Sequence, residues 1–89
     1  MTFGVYSIRD VKTGFMTPTV EISDEAAARN FAHAVSHSEG ILNSFVQDFS
    51  LYKIGGFDDS DGVLLPLNPP ILVVDGPNAM RMLMSEARR

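Results

Sequence analysis

The stretch Ser23-Asp24-Glu25-Ala26-Ala27-Ala28-Arg29-Asn30-Phe31-Ala32-His33-Ala34-Val35-Ser36-His37-Ser38 organises the rest of the chain. Ser23 suits an N-cap, because its hydroxyl can accept one of the amide protons that a helix start leaves unpaired. Asp24 and Glu25 follow in the first turn, where the helix dipole favours anions. The spacing predicts a helix to about Ser38, closed by Gly40 as a left-handed cap. At about 100° per residue, Ala27, Ala28, Phe31, Ala34 and Val35 fall within one arc of about 120°. Glu25, Arg29, His33 and Ser36 take the opposite side. A stripe this narrow and rich in alanine fits close contact with a sheet.

The segments on either side supply that sheet. Residues 3–9 alternate Phe3, Val5 and Ser7 against Gly4, Tyr6 and Ile8, which reads as a strand. Gly14 ends a turn that begins at Asp10 and suits a positive-φ position. Residues 15–22 read as the returning strand, and Pro18, lacking an amide donor, places it at an edge or at a bulge. Beyond the helix, Ile41, Leu42 and Phe45 anchor a connector. Residues 48–54 then form a third strand, with Phe49, Leu51 and Lys53 opposed to Ser50, Tyr52 and Ile54. Gly55-Gly56 marks a bulge or bend, residues 58–62 a turn, and residues 63–67 a fourth strand that Asn68-Pro69-Pro70 breaks. Residues 71–74 read as a further short strand or packed extended segment. The expected fold is α+β: an antiparallel sheet from two β-hairpins flanking one amphipathic helix (ββαββ), with a short C-terminal extension. Residues 1–76 are expected to form a single domain, and 77–89 a tail or short helix.

With 89 residues, the chain has room for one thin core. A homodimer is expected on that ground, since it would bury further apolar surface. The absence of cysteine excludes disulfides, thiolate metal sites and a cysteine nucleophile. The N-terminus does not read as a signal peptide, and no apolar run approaches the ~20 residues of a membrane span. A cytoplasmic location is therefore expected. The net charge of −4 and pI near 4.8 argue against broad, backbone-driven binding of nucleic acid. They leave room for a local basic groove.

Little in the chain points to catalysis. His33 and His37, its two histidines, are spaced to share a helix face, but no third ligand accompanies them. Asp58-Asp59-Ser60-Asp61-Gly62 has the composition of a calcium loop without its ligand spacing. No glycine-rich phosphate loop is present. The expectation is a protein that is not an enzyme and takes no cofactor or metal.

Three segments carry a family resemblance. They are Val5-Tyr6-Ser7-Ile8-Arg9-Asp10, with Lys12-Thr13-Gly14-Phe15 and Thr17-Pro18-Thr19-Val20; Ala28-Arg29-Asn30-Phe31 with Ala34-Val35; and Asp48-Phe49-Ser50-Leu51-Tyr52-Lys53-Ile54-Gly55, with Phe57-Asp58 and Gly62. Together they span most of residues 5–62, and they resemble the small nonstructural protein of gokushoviruses, single-stranded DNA phages of the Microviridae. The resemblance implies a nonstructural phage protein of the host cytoplasm that binds DNA or assists single-stranded DNA synthesis or packaging. It brings no catalytic or metal residues.

Binding single-stranded DNA requires aromatic platforms for bases and cations for phosphates. Tyr6, Arg9, Lys12 and Phe15 on the first hairpin, with Tyr52 and Lys53 on the third strand, are the candidate residues. The competing expectation packs both tyrosines in the core with their hydroxyls at its rim. A rival function is a nonenzymatic protein–protein module acting on a host or phage replication factor, to which Pro18 on an edge strand and Met80, Met82 and Met84 would be suited.

Overall fold

The computed structural model describes residues 1–37 and 40–87. Its elements are β1 (Thr2–Asp10), β2 (Gly14–Phe15), β3 (Thr19–Glu21), α1 (Asp24–His37), α2 (Ile41–Ser44), a 3-10 turn (Val46–Asp48), β4 (Phe49–Asp58), β5 (Val63–Asp75) and α3 (Gly76–Ala87). The strands form one antiparallel sheet in the order β2-β1-β4-β5, with β3 also paired to β1. β1 and β4 are thus central. β2 and β3 share the outer edge of β1, interrupted around Pro18, which cannot donate to a ladder.

The class is α+β, as expected, but the arrangement is fuller than ββαββ. The first returning strand is split in two. Residues 71–74, expected as a separate segment, continue β5, because the strand resumes pairing after a proline-containing interruption. Gly55 pairs with Pro66 and Lys53 with Ile71, so residues 67–70 loop out opposite Ile54. Ile54 is also skipped in the β1–β4 register, which places the expected bulge immediately before Gly55. The C-terminal residues form α3, which packs against α1 rather than trailing away.

Local signals explain most boundaries. Ser23 Oγ accepts from the Ala26 amide at 3.1 Å, as an N-cap should. Gly14 takes φ +100° and Gly62 φ +72°, each at a hairpin turn. Gly40 departs from expectation: its φ is −99°, extended, and it leads into α2. Part of the capping of α1 comes instead from Asn43, whose amide donates to the Val35 carbonyl at 2.9 Å and the Ser36 carbonyl at 3.4 Å. Ser38, the expected helix end, lies outside the described residues. Asp75 caps α3 by accepting from the Asn78 amide at 2.8 Å.

The core lies between one sheet face and the two long helices. Tyr6, Phe49 and Leu51 from the sheet meet Ala27, Phe31, Ala32 and Val35 of α1 and Ala79 of α3. Ile8, Val74, Met80 and Leu83 close its margin. On α1 the buried set differs by one residue from the expected stripe: Ala32 is buried, and Ala34 is half-buried. The reason is α3, which packs beside α1 and widens its covered face.

Gly76, where α3 leaves the sheet, sits against other backbone. A Cβ there would fall 1.9 Å from the Val46 carbonyl oxygen and 2.9 Å from that of Phe49. Gly76→Ala is expected to cost about 1–3 kcal/mol through overpacking. That corresponds to a fall of roughly 4–8 °C in Tm per kcal/mol, measured by thermal denaturation.

Candidate nucleic-acid interface

Alternation along the strands sorts the candidate residues onto two faces. Tyr6 pairs with Lys53 and Ile8 with Leu51, and this set faces the helices. Arg9 pairs with Phe15 and Ser50, and Ser7 and Leu72 pair with Tyr52. That second set lies on the opposite face, which neither α1 nor α3 covers.

Tyr6 is therefore not a stacking platform. Its ring is 1% exposed, and its hydroxyl donates to Asp24 in the first turn of α1. Lys53 shares that location, its Nζ 3.9 Å from Asp24 Oδ1. Both residues tie the start of the helix to the centre of the sheet. Burial, followed by the hydrogen bond to Asp24 and the charges of Asp24 and Glu21, raises the Tyr6 phenol above its ordinary range.

Phe15 and Tyr52 do come together. Their rings meet edge to face, with centroids 5.6 Å apart and planes at 74°. Phe15 is 49% exposed and Tyr52 half-buried, so the pair forms a partly exposed aromatic step. Arg9 is exposed beside Phe15, and Lys12 is exposed in the adjoining turn. Neither cationic head has an ion-pair partner among the described residues. Asp10, the nearest carboxylate in sequence, is buried and turned to the turn itself, accepting from the Lys12 amide and the Thr13 hydroxyl. Sequence reasoning missed Leu72, which extends this apolar surface and is 51% exposed. Residues 71–74 were read as a short strand or packed extended segment, but the prolines before them hid the pairing that sets Leu72 beside Tyr52.

Other sequence candidates have plain structural roles. The His33 and His37 rings stack at 4.1 Å on the exposed face of α1. Among the described residues, no group of three or more His, Cys, Asp or Glu is placed to hold a metal. In the acidic turn, Asp58 accepts from the Ser60 amide and Asp59 pairs with the N-terminal amine at 2.9 Å. The turn lies roughly 20 Å along β4 from Tyr52, at about 3.3 Å per residue. The charge of this turn is thus held away from the Phe15–Tyr52 step, whose nearer carboxylates include Asp10 and Asp75, each bonded within its own turn or helix start. No described helix is long and apolar enough to cross a membrane.

The Tyr6–Asp24 contact can be read from alkaline stability. The native state holds the Tyr6 proton more tightly than the unfolded chain does. Its contribution is complete below pH ~10, where an unfolded tyrosine is neutral, and is lost as pH rises toward the native value. Chemical denaturation of wild type from neutral pH to above ~10 should show this decline, and Tyr6→Phe should flatten it. The variant is expected to lose about 1 kcal/mol at neutral pH, the size of one hydrogen bond partly replaced by water.

Neither the curated proteins nor the solved structures contain a match to this sequence. A family match spans nearly the whole fold, from β1 through most of α3, and so takes in both faces of the sheet. The match, over residues 3–82, is to the family described as Phage ORF5 protein, and the chain belongs to that family of phage proteins.

Proposed function

We propose that this protein binds single-stranded DNA, without catalysis, on the helix-free face of its sheet. The observation that carries this reading is the Phe15–Tyr52 step with Arg9 and Lys12 beside it. An open antiparallel sheet with aromatics on its uncovered face offers bases an apolar surface, while cations beside them take phosphates. The resemblance to gokushovirus nonstructural proteins points the same way. In that setting the protein acts in the host cytoplasm, during genome synthesis or packaging. The net charge of −4 predicts a weak and selective contact rather than broad coating of DNA.

A second reading, a nonenzymatic protein-binding module, draws on the far end of the same face. There the register groups Phe3 with Phe57 and Leu64, and Val5 with Val20, without a charged side chain among them.

Fluorescence anisotropy with a labelled single strand, and duplex as control, tests the DNA reading. Binding should favour the single strand and weaken as salt rises. Phe15→Ala and Tyr52→Ala should each weaken it by roughly 5- to 150-fold, the range for loss of one stacked base. Arg9→Glu with Lys12→Glu should abolish it, while Tyr6→Phe should leave it unchanged. Absence of binding at low salt would remove this function in favour of a protein partner.

A further inference from the structure

The sheet exposes an apolar face but blunts both of its edges. On one side, the edge strand is broken into β2 and β3 around Pro18. On the other, β5 carries Pro66, Pro69 and Pro70 and loops out over residues 67–70. Prolines and bulges of this kind prevent a strand from another chain from continuing the ladder. Association must then use the face rather than an edge.

That face runs the length of the central strands. Phe3, Phe57 and Leu64 lie across one end, Val5, Val20 and Pro66 follow, and Tyr52, Phe15 and Leu72 reach the other. Leu64 is 67% exposed, and Val20 and Leu72 are 51% exposed. At ~4.8 Å between strands and ~3.3 Å per residue, the face covers roughly 600 Å². Two such faces together bury roughly 1,200 Å², the lower bound of a stable interface.

Charge completes the argument. Asp58, Asp59 and Asp61 crowd the β4–β5 turn, and the exposed cations Arg9 and Lys12 lie at the opposite end. Of the carboxylates near Arg9, Asp10 and Asp75 accept hydrogen bonds from their own turn and helix start, and Asp48 is half-buried. Asp59 is engaged by the N-terminal amine, whereas the Asp61 carboxylate has no partner among the described residues. Stacking two copies about a two-fold axis perpendicular to the strands sets the acidic turn of each beside the Arg9 end of the other. An axis parallel to the strands would instead set acidic turn on acidic turn. The face is self-complementary in the first arrangement alone.

We infer that a second copy of this chain covers the helix-free sheet face, forming an antiparallel, face-to-face dimer in which Asp61 of each protomer meets Arg9 of the other. The dimer covers the Phe15–Tyr52 step, so a strand of DNA and the second copy exclude one another there. Its existence does not depend on the DNA reading.

Sedimentation velocity from ~1 to ~100 µM protein, without nucleic acid, tests it. Wild type should sediment as a dimer at the upper concentrations. Leu64→Asp and Leu72→Asp, both at exposed positions, should each weaken the dimer at least about tenfold. Met84→Asp, 57% exposed on α3 on the helix-covered side of the sheet, should not. Arg9→Asp should weaken the dimer, and adding Asp61→Arg should restore it. A monomeric wild type at ~100 µM, a dimer indifferent to both leucine variants, or a double variant no stronger than Arg9→Asp alone would overturn the proposal.

Discussion

Both long helices lie on one face of the sheet, and the rest of the molecule follows from that one-sided burial. α1 and α3 pack against each other as well as against the strands, so their combined width covers Tyr6, Ile8, Phe49, Leu51 and Val74. Among the described residues, neither long helix lies on the opposite side. The alternate residues of the same strands are therefore left at the surface. They include aromatic and aliphatic side chains that burial would otherwise claim.

The contact of Tyr6 with Asp24 determines where that cover begins. Asp24 stands in the first turn of α1, beside the Ser23 cap, and receives the tyrosine hydroxyl while Lys53 approaches from the neighbouring strand. A polar contact at the rim of an apolar core has a directional role that alanine packing lacks. The small side chains of α1 permit many sliding positions on the sheet, and a hydrogen bond from a buried ring restricts them. The same contact withdraws Tyr6 from the surface and holds Lys53 on the helix side of the sheet, leaving Arg9, Lys12, Phe15 and the half-buried Tyr52 as the remainder of the candidate site.

Proline shapes what that surface can do. Pro18 shortens one sheet edge to two fragments, and the prolines of β5 push a loop out from the other. A small open sheet with intact edges is prone to pair with any extended chain. Here the ladder groups at the margins are interrupted while the open face keeps its apolar side chains. Recognition thereby moves from backbone hydrogen bonds to side-chain rings and charges, which discriminate between partners more sharply.

Much of the local structure was legible in the sequence. Ser23 as a cap, Gly14 as a positive-φ turn, the interruption at Pro18 and the alternation of β1 and β4 depend on residues only a few positions apart, which is why periodicity and turn chemistry reveal them. The continuation of β5 beyond its prolines was not legible, because its partner strand and not its own composition holds it in register. The replacement of the Gly40 cap by Asn43 likewise needed α2 folded back on α1. Most importantly, alternation divides each strand into two sets of residues but cannot say which set faces inward. Tyr6 and Tyr52 look equivalent in the chain. The apolar face of α1 buries the first, with Asp24 accepting its hydroxyl, and neither long helix covers the second, which lies beside Phe15. Sequence determined the two faces of every strand; packing between elements distant in the chain decided which face became core and which became the site.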